Sequence, residues 1–497
     1  MWITQQFFGG CNLILRFVAA GECRAFDIFV YETVCKAMRK LPALFLILIL
    51  PVLPVAQANP AARPQPLVFT HVTVIDMTGA PARPDMTVVI EGKHITALGK
   101  FGRVHIPKGS QVINANGRHL IPGLWDMHVH SGSYQDGRKN LPVFVANGIT
   151  GVRDMASPLG DVLRLRKEAD AGTFVSPRMI VAGPILQGPL PFQMPLLRSV
   201  SSESEVTETV SYLKKSGVDF IKTGDSLPRG LYFVLAAETK RRGVPFVGHL
   251  PVGVSAAEAS NSGQRSIEHF GSARFHGVLL ACSTHEARLG KYVEELLEAA
   301  RKGDESADTK LFRTELTKPL LDTFSDEKAA SLFSLFARNQ TWQVPTLVAL
   351  RDVWASKRKE LSEEDKRYGD RVWQKYLEMV GAMRRKGVML LAGTDLPLNN
   401  GVSRLHEELS LLVQAGLTPL EALQTATRNP AKFMGRSDTL GTIEKGKIAD
   451  LVLLDANPLE NIGNTQKINA VVVGGRLISE AEIKKVIMSL GAAGDGN

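Results

Sequence analysis

The chain has 497 residues, a hydrophobic content of 44%, a charged content of 22% and a formal net charge of +9. That length exceeds one compact core and favours a large domain with a smaller companion, and the composition is that of a globular protein rather than a fibrous or disordered one. A charge of this size without a dense Lys/Arg run or an aromatic–basic cluster leaves no nucleic-acid footprint.

The first feature along the chain is "MRKLPALFLILILPVLPVAQA", residues 38–58. Arg39 and Lys40 precede an apolar run at 41–55, and Ala56-Gln57-Ala58 supplies the small-residue pattern of a secretory signal peptide. The run is short for a membrane span and is interrupted by prolines. Cleavage is expected after Ala58, with Met38 as the start, export to the periplasm or medium, and no stable membrane anchor afterwards. A retained anchor is the alternative. Residues 1–37 read as an over-extended start. Cys11, Cys23 and Cys35 precede the signal, so the processed chain keeps only Cys282 and forms no intramolecular disulfide.

Residues 66–122 contain short β-rich segments separated by Gly, Pro and Asp clusters, and the C-terminal "GTIEKGKIADLVLLDANP" and "INAVVVGGRLIS" read the same way. Both ends are therefore expected to build one small β-sandwich, from residues 59–122 and 437–482, with 483–497 as a tail. Between them, residues 123–436 alternate strand and helix. Eight short apolar runs lie at 123–130, 149–155, 178–186, 220–224, 245–250, 266–270, 342–348 and 389–395. This fits an α/β fold, a (β/α)8 TIM barrel, with a charged helical insertion at 284–339 and a Pro-rich loop, "GPILQGPLPFQMP", at 183–195.

In such a barrel, reactive groups sit at the C-terminal ends of strands. His128 and His130 end the first run, Lys222 lies in the fourth, His249 and His269 end the fifth and sixth, and Asp395 ends the eighth. Taken singly, each is an ordinary core or capping residue. Together they are a set, and the period of two in His-x-His puts both imidazoles on one face. Imidazoles and a carboxylate suit a zinc-like divalent ion. A buried Lys is unusual; its pKa falls on desolvation, and the free amine can take up carbon dioxide as a carbamate. Asp126 shares the face of His128 and is either a support for that ligand or a core hydrogen-bonding group.

The chain resembles the amidohydrolase superfamily, in its imidazolonepropionase-like and Xaa-Pro dipeptidase-like (prolidase) branch. The resemblance rests on "LIPGLWDMHVH", "NGITGVRDM", "VDFIKTGD", "GHL", "SIEHF", "GTD", "HEELSLLVQAGLTPLEALQTATRNPAKFMG" and "LGTIEKGKIADLVLLDANPLENI", and covers most of residues 66–480. It implies a barrel with a flanking β-sandwich and metal-dependent hydrolysis of C–N bonds in amides, peptide-like bonds or cyclic amides. It also implies two divalent metal ions, zinc being the expected one. His128, His130 and Asp395 would bind the buried ion, His249 and His269 the exposed one, and Lys222, as N6-carboxylysine, would bridge them. A hydroxide between the ions would attack the carbonyl, with Asp395 as base and then acid.

Dipeptides or N-acyl amino acids are the expected small-molecule substrates. Arg229 and His276, after the fourth and sixth runs, are candidates to meet a substrate carboxylate, with surface charge as the plainer alternative. His406 and Glu407 read as helix-face residues. Rival readings are a mononuclear deaminase or imidazolonepropionase-type cyclic amidase, against which Lys222 speaks, and a non-catalytic barrel binding protein, against which the complete ligand set speaks. A homo-oligomer is compatible with the sequence.

Overall fold

A computed structural model describes residues 65–494 except 133–136, 191–193, 273–275, 305, 396–397 and 399–401. The expected signal segment and N-terminal extension lie outside the described residues. The strands β1 (Leu67–Val74), β2 (Arg83–Glu91), β3 (His94–Lys100), β4 (Gln111–Asn114) and β5 (His119–Pro122) come first. Then come β6 (Leu124–Val129), β7 (Ile149–Asp154), β8 (Arg178–Val181), β9 (Ile185–Gln187), β10 (Leu197–Ser199), β11 (Ile221–Thr223), β12 (Phe246–Gly248), β13 (Ser266–Glu268) and β14 (Trp342–Val344). The last are β15 (Leu451–Leu454), β16 (Ile468–Val473) and β17 (Arg476–Ile478).

The two ends of the chain share one sheet of order β17-β16-β15-β5-β1-β2-β3, with β4 paired to β1. Its seam is the antiparallel pairing of β15 with β5, Leu451 opposite Pro122 and Leu453 opposite Leu120. Alternating strand residues bury one face, so Phe69, Val72, Val88, Ile90, Leu120, Leu453 and Val472 form a core of their own. A sandwich of two sheets was expected. The hydrogen bonding instead makes a single ladder whose β3 edge bridges back to the approach to β15, at His94 and Ile448. Residues 483–494, expected as a tail, belong to the helix Glu480–Gly494.

The middle of the chain carries parallel strands in the orders β6-β7-β8 and β10-β9-β11-β12-β13-β14, interleaved with helices. Further backbone bonds join neighbouring runs. The N–H of Asp219 donates to Val181 at 2.9 Å and that of Leu391 to Gln343 at 3.0 Å; Met127 donates to Ala392 at 2.9 Å and Asp395 to His128 at 2.8 Å.

Three of the eight runs differ from expectation. Run 178–186 splits into β8 and β9 at Gly183, which has a φ of +73°, and at Pro184, which has no N–H to give a ladder. Run 342–348 stops at Val344, because Pro345 and a left-handed Thr346 turn the chain into the helix Leu347–Arg358. Run 389–395 pairs through a single bridge, Gln343 with Leu390, and forms no extended strand. It nevertheless passes close to β6: a Cβ on Gly393 would stand 2.8 Å from His128 Cβ and 2.9 Å from its backbone nitrogen. The insertion is helical, with helices Glu286–Arg301, Ala307–Lys310, Thr314–Asp322 and Asp326–Asn339.

Candidate metal centre

Five residues of the expected set converge on Asp395 or on one another. From β6, His128 Nε2 lies 3.3 Å from Asp395 Oδ1, and His130 Nε2 lies 2.9 Å from the same oxygen. After β13, His269 Nε2 lies 3.4 Å from Asp395 Oδ2. Lys222 Nζ, from β11, is 3.3 Å from His128 Nε2. After β12, the His249 ring stands 5.4 Å from that of His269, centroid to centroid. Gly248 permits this placement: a Cβ there would meet the Thr223 carbonyl oxygen at 2.3 Å, and its φ of +127° is open only to glycine.

The outer ring nitrogens assign the tautomers. His128 Nδ1 donates to Glu268 Oε2 at 2.9 Å, an oxygen that also accepts from Arg153. His130 Nδ1 donates to the Ala156 carbonyl at 3.0 Å. The Thr346 hydroxyl donates its own proton to the Pro345 carbonyl, so it accepts from His269 Nδ1, at 2.5 Å. Each Nε2 therefore turns a lone pair towards the Asp395 carboxylate. Lone pairs turned on a carboxylate repel it unless a proton or a cation lies between them, and the 2.9 Å from His130 Nε2 to Asp395 Oδ1 is within hydrogen-bond distance.

The electrostatics agree. Burial, and Lys222 beside it, hold the His128 imidazole well below its ordinary value. Burial lowers His249 to about 3 and His269 to about 4, so all three are neutral at neutral pH. Burial also lowers the Lys222 ammonium. His249 Nδ1 is buried without a hydrogen-bond partner. The donor set thus fits a divalent cation. His128, His130 and Asp395 alone bring three ligand atoms within 4.8 Å of one another.

Behind the ligands lies a polar network that sequence reading did not pick out. Arg153, on β7, is fully buried. It donates to the Met127 carbonyl, to Ser266 Oγ and to both oxygens of Glu268, the latter at 2.8 and 3.0 Å. The sign was present in "GVRDM" and "SIEHF", where two opposite charges sit inside apolar strands. Asp126 resolves as a support. It accepts from the backbone of His128 at 3.1 Å and from the backbone and hydroxyl of Thr394 at 3.0 and 2.8 Å, tying β6 to the segment before Asp395. Burial raises its carboxyl to about 7.

The two residues expected to meet a substrate carboxylate do not join this cluster. Arg229 forks onto Glu258 at 2.6 and 2.9 Å and donates to the Gly253 carbonyl, so its charge is already matched. His276 is buried, hydrogen-bonded to the Tyr376 hydroxyl and, at 3.4 Å, to the Leu311 carbonyl. Each side chain is engaged by packing partners of the fold. Of the two helix-face residues, Glu407 pairs with Arg351 and Arg404, whereas His406 is buried between Thr465 and the Asn147 carbonyl.

Comparison with known proteins points the same way. Residues 360–478 match the amidohydrolase family. An adenine deaminase of Rubrobacter xylanophilus is 23% identical over 429 residues, 84% of this chain, and the chain spans only 59% of that protein's length. An ochratoxinase of Aspergillus niger is 24% identical over 435 residues, 80% of this chain and 84% of its own. Among solved structures, a Xaa-Pro dipeptidase with methionine bound in its active site superposes with a TM-score of 0.62, covering 84% of this chain and all of its own at 22% identity. The chain therefore carries the amidohydrolase family's match over residues 360–478 and shares the fold of a Xaa-Pro dipeptidase over most of its length.

Proposed function

We propose that the chain is a metal-dependent hydrolase of C–N bonds acting on dipeptides or N-acyl amino acids, with its centre in a (β/α)8 barrel. The observation that carries this reading is the convergence of three imidazole lone pairs on the Asp395 carboxylate, at 2.9, 3.3 and 3.4 Å. His128, His130 and Asp395 would hold one ion, and His249 and His269 a second. Lys222, as its carbamate, would stand between them; burial favours the free amine from which a carbamate forms. The barrel is supported by the backbone bonds that link run 389–395 both to β14 and to β6. A hydrolase of amides accords with the family matched and with the dipeptidase and ochratoxinase relatives.

Bound divalent ions supply Lewis acidity for a scissile carbonyl and lower the pKa of a water to about 7. The chain's own contribution is orientation and proton movement. Asp395, at the meeting point of the three Nε2 atoms, is placed to accept a proton from the attacking water and hand it to the departing amine. Glu268 and Arg153 fix the His128 ring, and Asp126 fixes the backbone on either side of the site. Export through the signal at 38–58 would bring such an enzyme to extracellular peptides and acylated amino acids.

The test is metal analysis of protein purified without chelator, followed by a hydrolysis screen of dipeptides and N-acyl amino acids with the zinc-loaded chain. About two ions per chain and turnover of an amide are expected. One ion or none after supply of zinc and bicarbonate sinks the two-ion reading, and turnover confined to amino-purines replaces it with a deaminase.

A further inference from the structure

Glu408 is a fully buried acid that the chemistry above does not use. It lies on the helix Leu405–Gln414, directly after Glu407, where the Arg404–Asp352 and Arg351–Glu407 ion pairs clamp this helix to Leu347–Arg358. Its Oε2 accepts from the backbone N–H of Val348 at 2.8 Å, and its carboxyl group also accepts from the backbone of Leu347. Those are the first N–H groups of the helix Leu347–Arg358, which an α-helix cannot satisfy from within.

The residue that would normally cap them is Thr346, and it makes no side-chain cap bond. Its hydroxyl is committed elsewhere: it donates to Pro345 and accepts from His269 Nδ1. Thr346 also sits in the left-handed region, with φ 46° and ψ 50°, where a β-branched residue is strained. Something other than Thr346 must therefore hold the turn at 346–348 in place, and Glu408 is the group that does so.

We infer that Glu408 is a positioning residue for the centre: by capping Leu347 and Val348 it frees the Thr346 hydroxyl to fix the tautomer and direction of His269. The inference rests on reading the cluster as a metal centre, since that is what gives the direction of His269 Nε2 its meaning. Partners of ligating histidines of this kind typically carry about 10–100-fold in metal affinity.

The experiment compares wild type with Glu408→Gln, Glu408→Leu, Thr346→Val and the Glu408→Leu/Thr346→Val double variant. Two readouts are taken. One is zinc titration against a chromophoric chelator. The other is the ring-nitrogen shifts of His269 in metal-free protein labelled with 15N-histidine. Glu408→Gln keeps an acceptor oxygen and should hold zinc within about threefold of wild type. Glu408→Leu and Thr346→Val should each weaken the second zinc equivalent by about 10–100-fold and move His269 from a single Nδ1–H tautomer to a mixture. The double variant should be no worse than the worse single, because both act on one ring. Unchanged His269 shifts in Glu408→Leu overturn the inference, as do losses that multiply in the double variant. If Glu408→Leu fails to fold, Thr346→Val and Glu408→Gln still decide: wild-type shifts in the former, or a tautomer mixture in the latter, count against it. A wild-type chain that binds no second zinc, yet shows the tautomer responses, removes the metal reading and leaves the role of Glu408 intact.

Discussion

Replacing Glu268 by Gln perturbs the network behind the metal centre with almost no change of volume. In the native chain, Glu268 Oε1 accepts from Arg153 at 3.0 Å and from Ser266 at 2.5 Å, while Oε2 accepts from Arg153 at 2.8 Å and from His128 Nδ1 at 2.9 Å. An amide has one acceptor oxygen, so in either orientation its NH2 faces a donor that cannot turn away, the Arg153 guanidinium. With the NH2 at the Oε2 position, it also opposes the His128 N–H and drives that ring from its tautomer. The Arg153 charge is meanwhile left in the interior without its counterion. Breaking a buried ion pair from one side costs about 3–5 kcal/mol, and loss of the partner of a ligating His about 10–100-fold in metal affinity. Denaturant unfolding of metal-free protein reads the first, and zinc titration the second. An Arg153→Met/Glu268→Met variant, which removes both charges, should recover much of the lost stability. Stability of Glu268→Gln within about 1 kcal/mol of wild type, the range of an ordinary hydrogen bond, refutes the claim that Arg153 and Glu268 form one buried charged unit.

Further outcomes are expected. Lys222→Ala should lose metal and turnover together, and a short carboxylic acid in the buffer should restore part of both by standing in for the carbamate. Asp395→Asn should keep most of its metal while turnover falls by about 10²-fold or more, the scale of a lost acid–base group; near-full turnover would reduce Asp395 to a structural role. His406 is lowered by burial to about 4, so between that value and the ordinary pKa of about 6.5 the unfolded chain binds the extra proton. Its contribution is therefore complete above pH 6.5 and lost as pH falls towards 4, and His406→Gln should flatten stability against pH there by up to about 1.4 kcal/mol per unit. N-terminal sequencing of exported protein should begin at Asn59; cytoplasmic retention with Met38 intact refutes the signal reading.

The candidate set was legible because each member breaks a local rule in plain view: a His or Asp at the end of an apolar run, or a Lys inside one. Glu268 breaks the same rule, yet it stands beside His269 in "SIEHF", and only one of two adjacent polar residues can face a given side of a strand. The ladder could not say which neighbour mattered, and the structure uses both, Glu268 from behind His128 and His269 from the front. Arg229 and His276 stand apart from the cluster for a related reason. Position after a strand end brings a residue to the right rim, but its side chain goes to the strongest nearby partner, Glu258 for one and Tyr376 for the other. Glu408 was hidden within a helical pattern: its neighbours His406 and Glu407 are equally polar, and although burial separates Glu407, only the partners separate His406, on Thr465 and Asn147, from Glu408, on Val348.

The strained backbone shows why the supporting network matters as much as the ligands. His269, Phe270, Thr346 and Asp395 all have φ between 46° and 53°, in the left-handed region that non-glycine residues avoid. Each such residue costs about 1–3 kcal/mol and persists only where its surroundings over-determine it. Here the surroundings are specific bonds. Asp395 is pinned by its N–H to the His128 carbonyl and by the Thr394–Asp126 contacts, and Thr346 by Glu408 on one side and His269 on the other. Asp126 and Glu408, the buried acids bonded beside two of these kinks, at Asp395 and at Thr346, thereby bear on the direction of the Asp395 carboxylate and the His269 ring.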